Sequence, residues 1–253
     1  MLGLGLHINK SNVLETGVPI PLQPVAWYNE KSLSLYNDGE PVDIYQDKSG
    51  GTSFDLLQTD LNKRPVVDIQ EGRKVLYFTN DILVESELPV LDGSSEFTMI
   101  YVGKLLSTYH TGIYIGDNST PDNSSSFRLG RSTSNKLRAI LGDGAGGLFE
   151  TPFSFQNNGT VDIAYAYGTS SSSADIYVGL DDGNVNQEIQ FPNHSLDLVF
   201  GRGIGIGTNN PENPSQTGTG TGWWMYEVIV YDRALTSTEL TSVREYLRNK
   251  WNV

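Results

Sequence analysis

The 253 residues predict an antiparallel β-sandwich closed by one C-terminal α-helix, and three observations lead there. Short segments with period-two alternation recur along most of the chain. Gly, Asp, Asn and Ser punctuate them, and no helical stretch separates one segment from the next before residue 236. A parallel α/β sheet needs a crossover helix between successive strands, so that class is excluded.

Residues 1–24 stand apart. Leu2, Leu4, Leu6 and Ile8 alternate with glycines and His7, and Pro19, Pro21 and Pro24 follow at near-alternate positions. This favours an extended, polyproline-like arm. Two readings stay open for it: a disordered leader or edge strand, or an attachment arm that orders against a partner.

From Val25 the expected strands are Val42–Gln46, Phe54–Gln58, Val66–Ile69, Val75–Phe78, Phe97–Val102, Gly112–Ile115, Leu137–Leu141, Val161–Tyr167, Asp175–Val178, Leu196–Phe200 and Trp223–Tyr231. In Val161–Tyr167 the odd positions are large and the even ones small or acidic, so one face packs deeply and the other stays shallow. In Trp223–Tyr231 strict alternation puts Trp224, Tyr226, Val228 and Val230 on one face. It puts Trp223, Met225, Glu227, Ile229 and Tyr231 on the other. The glycine-alternating run 201–207 fits a strand with close approaches, and it lacks the Gly-Lys-Ser/Thr and following helix of a phosphate loop.

The helix is expected over 236–251. Thr236 and Glu239 form a capping box, and Leu235 and Leu240 occupy hydrophobic-staple positions. Leu240, Val243, Leu247 and Trp251 make one stripe, so the helix should pack on the sandwich through Leu247 and Trp251. Arg233, in the turn before it, is expected to hydrogen-bond loop carbonyls.

Composition narrows the function. Seventeen Lys+Arg against 30 Asp+Glu give a net charge of −13, which argues against a nucleic-acid or anionic-membrane surface. With no Cys, disulfides, thiolate metal sites and a Cys nucleophile are excluded. No segment has the run of about 18–20 apolar residues that a membrane helix needs. No basic region precedes the apolar opening and no Ala-x-Ala-like site follows it, so no secretory signal is read. The sequons at Asn118, Asn123, Asn158 and Asn193 are expected from a chain so rich in Asn, Ser and Thr.

Several motifs together are similar to the concanavalin A-like, laminin G-like jelly-roll domains of bacteriophage virion and bacterial surface proteins. They are Val25–Tyr28 with the turn Asp47–Gly50, Arg64-Pro65, Phe97–Val102, Ile176–Gly183, and Glu227–Thr236 continuing to Glu239, Val243, Tyr246, Leu247, Lys250 and Trp251. The resemblance covers about residues 25–253, one domain, and leaves the arm outside. It implies a jelly roll. The run between Gly207 and Trp223 departs from a plain hairpin by its length and its Gly/Thr content, as functional loops often do.

Catalytic chemistry is hard to place. Hydrolases that resemble this fold set two carboxylates on one strand as Glu-x-Asp-x-x-Glu, a spacing suited to retaining hydrolysis. Here Glu227 has no acid two residues on, and Glu85/Glu87 and Asp181/Asp182 sit in turn-like sequence. His7, His110 and His194 are far apart, without ligand spacing. Calcium is the one metal the loops could take, through Asp117 and Asp122 or through Asp181 and Asp182, although turn chemistry explains the same residues. Sugars stack on exposed aromatics, for which Trp223, Tyr226, Tyr109, His110 and Tyr114 are the candidates; aromatic residues equally fill sandwich cores.

The expectation is a non-enzymatic structural and recognition module with no obligatory cofactor. It would be displayed in several copies on a larger assembly, a phage virion first, with residues 1–24 docking on other virion proteins and a cell-surface glycan as a further partner. The alternatives are a soluble or cell-surface carbohydrate-binding protein and, third, a divergent glycan hydrolase.

Overall fold

The structure, a computed structural model, describes residues 23–85, 96–105, 110–116, 126–141, 147–155, 160–169, 175–183, 185–192, 203–207 and 221–253. Among them run β1 (Ala26–Tyr28), β2 (Ile44–Tyr45), β3 (Leu56–Leu57), β4 (Val66–Gln70), β5 (Arg73–Thr79), β6 (Leu83–Glu85), β7 (Phe97–Leu105) and β8 (His110–Gly116). There follow β9 (Ser126–Arg131), β10 (Lys136–Leu141), β11 (Gly147–Ser154), β12 (Val161–Thr169), β13 (Asp175–Asp181), β14 (Asn186–Phe191), β15 (Ile204–Ile206), β16 (Thr221–Tyr231) and α1 (Ser237–Trp251).

Two eight-stranded antiparallel sheets stack as a jelly-roll sandwich. The first runs β14-β13-β12-β7-β16-β5-β4, with β1 also paired to β16; the second runs β11-β10-β9-β8-β15-β6-β3-β2. β16 is the spine of the first sheet. Its first half lies against β5, its last three residues before Tyr231 pair with β1, and β7 follows its other side. The strand formed by the first described residues is thus stitched to the strand that feeds α1.

The inner faces meet over Phe78, Phe97, Met99, Tyr101, Ile113, Phe127, Leu129, Val178, Trp223, Met225 and Val228. A second core lies on the far side of the first sheet, beneath α1. Val161, Ile163, Tyr165, Tyr226, Ile229 and Tyr231 pack there against Leu240, Val243, Tyr246, Leu247 and Trp251. The large face of β12 is therefore the helix-facing one, while its alanines Ala164 and Ala166 enter the space between the sheets. Asp162 lies on that inner side with Arg131 and Tyr101, where burial and the Asp162 charge push the Tyr101 phenol pKa up.

Strict alternation along β16 fails at one point. Met225 pairs with Gly103 and Glu227 with Val102, so Tyr226 is an extra residue, a β-bulge. The bulge reverses the parity. Trp223 and Met225 face the inner core with Val228 and Val230, whereas Tyr226, Ile229 and Tyr231 face the helix.

The helix starts as expected: the Thr236 hydroxyl accepts from the Glu239 N–H at 3.3 Å, and the Glu239 carboxylate accepts from the Thr236 N–H at 2.9 Å. Arg233 differs. Besides one 3.2 Å bond to the Ala234 carbonyl, its guanidinium donates in parallel to both Glu239 oxygens at 2.9 Å. Strands β6, β9, β11 and β14 were not expected, Glu85 ending a strand where a turn was read, and Leu196–Phe200 falls outside the described residues. So do residues 1–22; Gln23 already donates to the Ser49 carbonyl, and Pro24 is buried.

Candidate functional site

The aromatic residues singled out for stacking do not form one surface. Trp223 lies wholly inside the sandwich, stacked on Phe78 with ring centroids 4.4 Å apart. Tyr226 is buried on the helix side, edge-on to Trp251 at 5.0 Å. Tyr114 lies on the outward face of the second sheet, where the Arg128 guanidinium covers its ring at 5.3 Å and no ring surface reaches solvent. With their faces closed, these three rings offer no stacking platform. His110 opens β8 opposite Arg131, and Tyr109 falls outside the described residues.

Glu227, the core-strand carboxylate, is fully buried. It accepts from the Trp27 indole N–H at 2.6 Å, the Trp251 indole N–H at 2.7 Å and the Tyr246 hydroxyl at 3.4 Å. Lys250 closes the cage, 2.9 Å from Glu227 and 2.6 Å from Glu30, and its ammonium sits 4.9 Å from the Trp251 ring centre. Burial pushes the Glu227 pKa up, against the pull of Lys250 and the two indoles. The group holds β1, β16 and α1 together; a substrate has no route to it.

Of the four aspartates proposed for calcium, the two that are described, Asp181 and Asp182, part company. Asp181 is buried under α1, where it accepts from Arg248 at 2.9 and 2.5 Å and from Arg244 at 3.4 Å, and caps the Gly183 N–H at 3.1 Å. Its oxygens are spent on the helix. Asp182 turns the other way, accepting from the Val185 N–H at 2.8 Å, at a cleft of about 440 Å³ also lined by Glu71, Lys104 and Asn252. Among the described residues no three acidic or His side chains gather as a metal cluster. Asp117 and Asp122 lie outside the described residues.

A surface that the sequence did not single out lies at the β14 edge of the first sheet, beyond the reach of α1. Residues 165, 167 and 169 of β12 continue the outward face that the helix covers lower down. Register sets Tyr167 opposite Tyr177 and Tyr177 opposite Gln190, and sets Tyr165 opposite Gly179 and Gly179 opposite Glu188. The Tyr165 ring crosses Gly179 to donate to Asn186 on β14 at 2.9 Å; a Cβ at Gly179 would stand 2.0 Å from that ring. Arg244 covers the Tyr165 ring at 5.6 Å.

One step along the strands, Tyr167 and Tyr177 stack with centroids 4.6 Å apart and planes 4° from parallel. Both are half-buried. The Tyr167 hydroxyl donates to Glu188 at 3.3 Å, and burial together with that carboxylate pushes its pKa up. On the other flank the Gln190 amide donates to Asp175 at 2.8 Å. Rigid aromatic rings ringed by carboxylate and amide groups are chemically suited to bind the C–H faces and hydroxyls of a small polar molecule together. The signal in the sequence was the tyrosine at each position; which tyrosines meet depends on the β12–β13 register.

No family model matches this sequence, and no curated protein matches it either. Among solved structures the fold is similar to a Trypanosoma rangeli sialidase in complex with sialic acid, with a TM-score of 0.57 at 13% identity. That match takes in 95% of this chain and 36% of the sialidase. The fold is also similar to the binding domain of botulinum neurotoxin serotype D, with a TM-score of 0.52 at 12% identity, over 89% of this chain and 51% of that one. At such identities the likeness concerns the fold: this chain has a jelly-roll β-sandwich.

Proposed function

We propose that this chain is a non-catalytic carbohydrate-recognition module that reads a saccharide on the Tyr167–Tyr177 surface. The observation that carries the proposal is the half-exposed parallel ring pair, set between the Glu188 and Asp175 carboxylates on a part of the sheet that α1 leaves bare. The fold supports it, since one similar structure holds sialic acid and the other is a toxin's binding domain. The caged state of Glu227 supports a non-catalytic role, because the acid a hydrolase would draw on is sealed by Trp27, Trp251 and Lys250. Such a module would work outside a cell or on its surface.

The test is a glycan-array screen followed by calorimetry on retained glycans. Tyr177→Ala should weaken binding about tenfold or more, the worth of one stacked ring at roughly 1.4 kcal/mol per decade, while the variant still unfolds cooperatively well above the assay temperature. Retention of no glycan by the wild type, or equal binding by Tyr177→Ala, overturns the reading.

A finer reading draws on the laminin G-like resemblance: the module is displayed in several copies on a phage virion, with residues 1–24 as the docking arm. In its support, the first strand is held by its own pairing to β16, beginning with the Val25 N–H on the Val230 carbonyl. A 1–22 deletion should stay folded, still bind glycan and fail to join the particle. Normal incorporation would sink the arm.

A further inference from the structure

We infer, building on the recognition reading above, that the Tyr167–Tyr177 surface selects a saccharide carrying a free amino group and rejects carboxylated sugars. The argument is one of charge. Glu188 is exposed and lies at the Tyr167 hydroxyl, and Asp175 lies two residues before Tyr177 on the same face. Neither has an ion-pair partner among the described residues. Two cations on this side of the sheet, Arg244 and Arg248, are both committed to the buried Asp181 beneath α1. Arg244 covers Tyr165, one step down the strands, with its side chain only 14% exposed.

Among the described residues, a ligand lying across the two rings therefore meets two carboxylates, and the Arg244 and Arg248 guanidinia are already engaged. An ammonium there gains from both carboxylates. A ligand carboxylate is repelled by the same groups. The fold's likeness to a sialidase holding sialic acid thus does not extend to ligand charge at this surface.

The experiment compares amine and N-acetyl forms of matched sugars, glucosamine and galactosamine tetramers, with a galacturonate tetramer, by calorimetry on the full chain at low and high salt. The amine form should bind roughly fivefold tighter than its acetylated counterpart at low salt, as expected for exposed charge contacts, with the advantage shrinking as salt rises. Glu188→Gln with Asp175→Asn should abolish that preference, bringing the amine and acetylated forms to equal affinity. An amine form no tighter than the acetylated one, a preference surviving both substitutions, or no binding of any tetramer overturns the inference. Retention of a carboxylated glycan through Tyr177 overturns it too, yet leaves carbohydrate recognition standing. A chain that retains no glycan at all loses both.

Discussion

Trp27 and Glu227, 200 residues apart in sequence, share a 2.6 Å hydrogen bond from indole N–H to buried carboxylate. The bond ties β1 to β16, and the Trp251 indole and Lys250 ammonium bring α1 to the same two oxygens. Removing the carboxylate leaves a buried ammonium and two indole donors facing one another. Glu227→Ala should therefore destabilise the fold by about 3–5 kcal/mol, the range for breaking a buried ion pair. Trp27→Phe, which keeps the ring and loses one donor, should cost about 1–3 kcal/mol. Urea unfolding of both variants checks the order; a smaller loss for Glu227→Ala would show that the cage contributes little.

Gly179 is needed for its missing side chain. The Tyr165 ring occupies the space of its Cβ, at 2.0 Å, on the way to Asn186. Gly179→Ala must lift the ring off β13, at a cost of about 1–3 kcal/mol for overpacking. In a Tyr165→Leu background most of that cost should vanish, so a double-mutant cycle reads the contact directly. Additive effects would place the strain elsewhere.

The same residues show where sequence patterning reaches and where it stops. The capping box at Thr236 and Glu239, and the stripe through Leu247 and Trp251, are local, and both form as expected. The faces of β16 depend on a bulge at Tyr226, which no alternation rule marks, so local pattern could not choose between platform and core for Trp223 and Tyr226. β14 escaped notice because it is an edge strand: only Ile189 and Phe191 of Asn186–Phe191 are even partly buried, and its remaining residues face water. The ring pair on its flank was illegible for a related reason. Tyr167 and Tyr177 meet through strand register, and their polar neighbours come from that overlooked strand.

Asp181 separates a structural role from a metal role. Its carboxylate holds Arg244 and Arg248, the two contacts that moor the middle of α1 to β13. Asp181→Asn should cost about 2 kcal/mol, as expected for losing hydrogen bonds to charged groups. Because both oxygens are already occupied, the fall in melting temperature should be the same in excess calcium and in excess chelator. A fall confined to calcium-containing buffer would restore Asp181 as a ligand.

The Arg233–Glu239 pair predicts a specific pH dependence. The paired guanidinium and the Thr236 N–H hold the Glu239 carboxyl at about 2, against an ordinary value of 4.5. A folded-state pKa below the unfolded one means that the charged pair stabilises the native state above the unfolded value. That contribution drains away as pH falls through the window between the two. Glu239→Gln isolates the charge, because Gln at the same position can still complete the capping box. Wild type should melt above Glu239→Gln at neutral pH, and the gap should close between about pH 5 and pH 2. The side chains are 23% and 28% exposed, so screening keeps the gap small and salt should narrow it further. A gap that persists at pH 2 would mean that Glu239 acts through its shape and its hydrogen bond to Thr236, and not through its charge.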